Sequence, residues 1–450
     1  MAASQSPADI QASLRQLLDK TTAGPTPSVA GLVYQAVGRH GEPIFSHASG
    51  ARGLVPGSSS MTPDTVFWMA SCTKMITGIA CMQLVEQGKL ALDDVHLVER
   101  LAPELRDVKV LDGDARTGFR LVEKQRGITL RMLLSHTAGF GYPFDDPRLR
   151  DYSFPIGFDE FAGNADDVLG LPLVNQPGTK FQYGVNVDWA GALVERVTGL
   201  SLDEYFRAHI FEPLGIEDIR FFPTADMKKR LAYMHRRDGR DGSLKVVDHQ
   251  YRFPLAEKRS SLFCSGGAGC FGTVAEYCTD GDEEIITVLL NNGTCPRTNA
   301  RILSPESING ILLSTFCQAS INVGIEMFTD QIPQLPRYPN RPAETAKPHL
   351  AKPSPVRPLA NPAADAQRTE GWGLTFALSH VDNRVTGRPA GTGSWEGIAN
   401  LFWFADRKSG IGAMIASQIL PYGDNAVLDV NEAVEQLLYS GLKRTEDSYK

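Results

Sequence analysis

Residues 66–94 read VFWMASCTKMITGIACMQLVEQGKLALDD. From Ser71 to Gln87 the apolar spacing is helical, and Gly88 fits the position just past a helix end. Ser71 and Lys74 stand three residues apart, which puts hydroxyl and amine on one face, one turn from each other. A serine at a helix start also keeps its own backbone N–H free, because the first turn has no intrahelical acceptors. That N–H and the helix dipole can both serve a developing oxyanion. Met75, Ile76 and Ile79 follow Lys74, and an amine packed among such groups loses solvation, which lowers its pKa toward that of a useful base. Spacing alone does not establish chemistry. Ser440-Gly441-Leu442-Lys443 repeats it in a polar C-terminal tail.

Working outward, the chain has 450 residues, 45 Lys+Arg against 52 Asp+Glu, and a net charge of −7. At roughly 100–200 residues per domain, this length predicts two or three domains or one elaborated core. Hydrophobic residues make up 42% and charged residues 22%, which excludes global disorder. With no Lys/Arg-dense stretch, neither nucleic acid nor a membrane surface is an expected partner. The apolar stretch 75–85 is well short of the ~20 residues a membrane helix needs. Seven cysteines form an odd set without a C-x-x-C pair, so reduced thiols are expected. The nine histidines show no metal-ligand spacing. The first residues show no basic-then-apolar secretory pattern, so the expectation is a cytoplasmic protein without metal or cofactor.

Ser6-Pro7 reads as a helix start, with Ile10, Leu14, Leu17 and Leu18 on one face. The runs 29–37 and 44–47 form a predicted antiparallel hairpin across a turn-rich link. Helices are predicted over 129–135, over 187–198 before Gly199, and over 202–210 behind the capping pattern Ser201-x-x-Glu204. A second hairpin is predicted from 398–405 and 411–417. A final helix turns Val427, Val430, Val434, Leu437 and Leu438 inward. The two ends thus supply sheet and flanking helices around a helical insertion. Residues 1–75 and 225–450 are expected to form the sheet domain, and 76–224 the helical one. Segment 331–362 holds nine of the 28 prolines, five Lys/Arg and one Glu, and reads as an exposed loop.

Three further segments bear on chemistry. Tyr183-Gly184-Val185-Asn186 immediately precedes the helix at 187. There Asn186 is either an N-cap or a substrate contact, and a lysine ammonium beside Tyr183 would favour its phenolate as a second base. Gly391-Thr392-Gly393-Ser394-Trp395-Glu396-Gly397 leads toward the late hairpin, and its small residues would let a ligand approach backbone N–H donors. Without further evidence it reads as a glycine-rich turn. Gly267-Ala268-Gly269-Cys270-Phe271-Gly272 fits G-x-G-x-x-G but lies late, without the βαβ context a dinucleotide site requires. No G-x-S-x-G is present, which argues against an α/β-hydrolase elbow.

With Ser71/Lys74, Tyr183 and the Gly-Thr-Gly segment in that order, the chain resembles the serine β-lactamase/penicillin-recognising family, in its class C and family VIII esterase branch. Residues 66–94, 128–140 (ITLRMLLSHTAGF) and 176–219 all carry the resemblance, which covers roughly 28–320 and 370–440. The wording around Tyr183 and Trp189 is most similar to fungal lovastatin-type polyketide acyltransferases. The resemblance implies an α+β fold: an antiparallel sheet flanked by helices, plus an inserted, mainly helical domain, with the site between them. It implies Ser71 as nucleophile, Lys74 and Tyr183 as proton relay, and the N–H groups of Ser71 and Ser394 as oxyanion hole. Phe140, Tyr142 and Trp395 are expected to line an apolar acceptor groove, with Asn186 as a further substrate contact. An acyl thioester, on CoA or a carrier protein, is the expected donor, and a hydroxylated small molecule the acceptor. A carboxylesterase and an inactive scaffold are the alternatives. Gly391 stands where lactamases carry the substrate-binding lysine, which counts against β-lactam recognition. Asn186 sits one place later than the lactamase asparagine, and an acidic run at 279–284 interrupts an expected helix from 274 to 290.

Overall fold

The computed structural model describes residues 7–255, 263–278, 285–309, 327–335, 345–352 and 369–448. The Ser6 cap, the acidic run 279–284, Cys317 and most of the proline-rich segment lie outside the described residues.

The central sheet has seven strands: β1 (Gly31–Gly38), β2 (Pro43–Gly50), β3 (Glu370–Trp372), β4 (Ala377–Ser379), β5 (Gly393–Gly397), β6 (Leu401–Asp406) and β7 (Ile411–Ala416). They pair antiparallel in the order β2-β1-β7-β6-β5-β4-β3. The period-2 alternation of the strands sorts their side chains between two cores. Leu32, Tyr34 and Ala36 of β1, with Phe402, Phe404, Ala413 and Ile415, face α1 (Pro7–Thr22) and the last helix of the chain. Ile10, Leu14 and Leu18 of α1 meet them there, with Val427, Val430 and Val434. Val33, Val37, Trp403 and Met414 face the other way, into the larger core.

In that core lies α2 (Thr73–Glu86), buried at every residue from Thr73 to Leu84. The helix is enclosed although Lys74, Thr77 and Gln83 are among its buried residues, and it packs on α3 (Asn186–Thr198) and on the Ala70–Cys72 turn before it. Gly88 and Gly199 both take left-handed φ, 68° and 74°, as helix-ending glycines do. The Ser201 side chain accepts from Glu204 N–H and the Glu204 carboxylate from Ser201 N–H, which completes the expected capping box. The final helix, α4, runs Asn425–Ser448. No helix of the described residues is long and apolar enough to cross a membrane.

Two expectations are corrected. The segment 391–397 is not a turn before a strand. Its residues 393–397 are β5, an interior strand, and the following strand begins at Leu401 after a left-handed turn at Asn400 (φ 59°). The proline-rich segment is not wholly an exposed loop either, because 345–352 forms a strap in which Thr345, Ala346, Leu350 and Ala351 are buried while Pro348 and His349 stay exposed. Lys347 N–H donates to Phe144 O (3.0 Å) and Arg150 to Ala346 O (3.1 Å) on the helical side. Lys352 N–H donates to Tyr422 O and Tyr422 N–H to Leu350 O on the sheet side. The Lys347 ammonium is sunk onto Glu160 (2.7 Å) and Phe158 O (2.9 Å). Pairing is what lets a lysine and a glutamate enter an interior.

Candidate active site

Ser71 is placed by rigid neighbours. Val66–Trp68 pairs antiparallel with Phe271–Thr273, and Met69 N–H donates to Cys270 O at 2.9 Å. The chain then turns through Ala70 at φ 47°, a left-handed conformation costing a non-glycine residue about 1–2 kcal/mol. Ser71 follows, partly exposed, within the 3₁₀ turn Ala70–Cys72 that opens α2.

One turn on, the Lys74 amine is fully buried and touches three oxygens: Gly267 O at 2.7 Å, Ser71 Oγ at 3.0 Å and Tyr142 Oη at 3.1 Å. Burial lowers its pKa to about 7; the nearby Asp188 carboxylate pulls the other way without overcoming the loss of solvation. A neutral amine has two N–H groups and one lone pair. The Gly267 carbonyl can only accept, so it takes one N–H, and the hydroxyls of Tyr142 and Ser71 can share the second N–H and the lone pair. The three neighbours can therefore serve the neutral amine as well as the ammonium.

Tyr183 approaches from the loop ahead of α3. Its hydroxyl lies within hydrogen-bond reach of Ser71 and accepts from Trp395 Nε1 at 3.0 Å, and the Lys74 nitrogen sits 4.7 Å from its ring centre. The expected phenolate is not favoured: burial raises the Tyr183 pKa further than these hydrogen bonds lower it, so the phenol keeps its proton. Gly184 is required by close approach, since a Cβ there would meet Phe140 O at 2.3 Å. Ser394, partly buried on β5, lies opposite Phe404 and Ala377. β5 packs on the turn carrying Ser71, and a Cβ at Gly397 would come within 2.9 Å of Met69 O.

The structure thus brings Ser71, Lys74, Tyr142, Tyr183 and Trp395 together and seats the strand of Ser394 beside them. Three expected substrate-facing residues need correction. Tyr142 is 3% exposed and its hydroxyl turns inward onto Lys74, so it supports the amine rather than lining a groove. Asn186 has neither expected role. Val185 holds the cap position, and the two N–H groups of the buried Asn186 amide are shared among three acceptors, Phe140 O, Gln182 O and His136 Nδ1, at 3.2, 3.2 and 3.0 Å. Phe140 is likewise wholly buried, against Trp189.

Sequence reasoning missed Asp188 and Gly267. Asp188, buried on α3, accepts from Ser265 Oγ (2.5 Å) and Gly267 N–H (3.0 Å), which aims the Gly267 carbonyl at Lys74. A Cβ at Gly267 would meet Asp188 Oδ2 at 2.2 Å. Gly267 thus serves this close passage, while Gly269 and Gly272 of the same stretch make room for Phe221 and Ile219. Among the described residues, no group of three or more His, Cys, Asp or Glu side chains is disposed to hold a metal ion.

Comparison with known proteins agrees with this geometry. The β-lactamase family model matches residues 14–302. Monacolin J acid methylbutanoyltransferase of Aspergillus terreus is 31% identical over 422 residues, 92% of each chain. Lovastatin esterase of Penicillium rubens is 31% identical over 92% of this chain and 95% of its own. A LovD6 mutant of Aspergillus terreus simvastatin synthase superposes with a TM-score of 0.76 at 28% identity, over 97% of this chain and 98% of its own. A serine backed by a desolvated amine, on a scaffold shared with these enzymes along nearly its whole length, makes this chain an enzyme of the β-lactamase family.

Proposed function

We propose that the enzyme is a serine acyltransferase that carries an acyl group from a thioester, through an ester on Ser71, to a hydroxyl of a polyketide or similar small molecule. The buried, near-neutral Lys74 amine 3.0 Å from Ser71 Oγ carries the reading. Lys74 accepts the Ser71 proton as Oγ attacks the thioester carbonyl. The tetrahedral oxyanion is held by the N–H groups of Ser71 and Ser394, and its collapse breaks the C–S bond. The Tyr183 phenol, still protonated, protonates the departing sulfur and is reprotonated from Lys74. In the second half the acceptor hydroxyl attacks the acyl carbon, its proton passes back through Tyr183 and Lys74, and Ser71 regains its own.

Transfer must outrun hydrolysis, and orientation can achieve this. A well-placed alcohol can reach an effective molarity of about 10⁵ M, far above that of bulk water. CoA or a carrier protein supplies the thioester in this reading. A cytoplasmic site of action agrees with it: Cys72, Cys81, Cys264, Cys270 and Cys278 are buried thiols outside any disulfide. The replacement of the lactamase lysine by Gly391 argues against a β-lactam substrate. A second reading, ester hydrolysis, is favoured by the relative named lovastatin esterase. To separate them, an acyl thioester is supplied with and without hydroxylated polyketides, and ester product is measured against free acid. Ester in excess supports transfer. Free acid dominating with every acceptor replaces it with the esterase.

A further inference from the structure

His136 is fully buried, in a left-handed backbone conformation (φ 55°), on the chain that follows the helix Leu130–Leu134. Nothing in the acyl-transfer scheme uses it, yet its contacts converge on one loop. Its carbonyl accepts from Gln182 N–H at 2.8 Å, and its Nδ1 accepts from Gly184 N–H at 3.3 Å. These are the residues immediately before and after Tyr183. A backbone N–H can only donate, so Nδ1 is the unprotonated ring nitrogen and the proton sits on Nε2. The Asn186 amide donates to the same Nδ1 at 3.0 Å, and the imidazole lies 4.6 Å from the Tyr183 ring, centre to centre. One side chain and its own carbonyl therefore grip the tyrosine loop from both sides.

We propose that His136 is the positioning residue of Tyr183: by holding the amides of Gln182 and Gly184 it fixes the phenol hydroxyl between Ser71 and Trp395. The inference rests on the reading of Tyr183 as part of the proton relay. Small displacements of a proton-transfer group are costly, since heavy-atom separations of about 2.6–3.2 Å are needed for transfer. A loop released from Nδ1 keeps its packing but loses that register. Asn186 acts through the same nitrogen.

The test compares three variants by kcat, KM and the rate of Ser71 acylation by p-nitrophenyl butyrate. His136→Leu removes the δ acceptor, whereas His136→Asn places a carbonyl oxygen at the same bond distance and tolerates a left-handed φ. Both lose the ring. Positioning predicts that Leu lowers kcat about 50-fold with KM changed less than threefold, and that Asn recovers kcat to within about fivefold of the parent. Equal losses in Leu and Asn would mean that only ring packing matters, and an unchanged kcat in Leu would remove the role altogether. Tyr183→Phe is measured alongside. Should it keep full activity, the relay reading fails and the inference with it, while a dead Tyr183→Phe beside a normal His136→Leu overturns the inference alone. If His136→Leu does not fold, His136→Gln replaces it, with its acceptor one methylene out of place. Gln must then fall about tenfold below Asn, and parity refutes the proposal.

Discussion

The chain contains the spacing Ser-x-x-Lys twice in helical context, and the copy at Ser71 is the one the candidate site encloses. At Ser71 the helix behind it is enclosed on every side, and its lysine is ringed by Gly267 O, Tyr142 and Tyr183. At Ser440 the same spacing lies on α4 near the end of the chain, and the hydroxyl donates back to Leu437 O at 2.9 Å, an ordinary intrahelical contact. Local geometry is shared, since both pairs are one helical turn apart. At Lys74, desolvation and distant segments that supply acceptors are added to that shared geometry.

The comparison is broken most directly at the serine. Ser71→Ala should cut acyl transfer by about 10⁴-fold and abolish labelling by a serine-directed phosphonate, read by intact-protein mass spectrometry. Label on any other residue would transfer the nucleophile's role there. Lys74→Met should lower turnover by about 10³-fold and yet raise thermal stability by about 1–3 kcal/mol, because an amine held at a pKa of about 7 opposes folding. The unfolded lysine titrates near 10.5, so the folded state binds fewer protons between the two values and stability increases with pH across that window. The variant's advantage should accordingly be largest below about pH 7 and fade toward pH 10.5 in calorimetric scans. A Lys74→Met protein that melts lower at pH 6 would contradict this.

In the parent enzyme, kcat/KM should fall about tenfold per pH unit below pH 7 and level off above it, as protonation removes the Lys74 lone pair. A flat profile from pH 5 to 8 would take the base role from Lys74. Trp395→Phe keeps an aromatic ring and removes the Nε1–H that Tyr183 accepts. One hydrogen bond of about 1 kcal/mol implies roughly a fivefold fall in kcat. The smallest effect belongs to the second copy: Ser440→Ala should leave turnover within twofold and stability within about 0.5 kcal/mol.

What the sequence made legible was whatever chemistry or periodicity keeps within one segment. Ser71 and Lys74 were readable because a single helical turn joins them, and the first hairpin because its two strands are consecutive. The supports of Lys74 were not, because Gly267 lies 193 residues away and its carbonyl is aimed by Asp188, 79 residues before it. Tyr142 was placed near the site, but its neighbours suited a groove wall as well as a hydroxyl turned onto an amine. Strand β5 resembles a turn in sequence because it opens on Gly393-Ser394 directly after Gly391-Thr392, and flanking strands override such weak local preference. The segment holding Lys347 reads as an exposed loop because only the folded chain reveals Glu160 as the lysine's partner.

The strap at 345–352 gives the two walls of the molecule a shared anchorage. Arg150, Phe158 and Glu160 hold it on one side and Tyr422 on the other, so the helical wall cannot leave the strap without stripping a lysine from a buried carboxylate, nor the sheet side without breaking the backbone bonds of Tyr422. Removing one member of such a pair costs about 3–5 kcal/mol, a large part of a typical domain's whole stability. The two layers are thereby mechanically coupled. Amide protons of the helical layer and of the central sheet should exchange at a common limiting rate, and Lys347→Ala should let the helical layer exchange first.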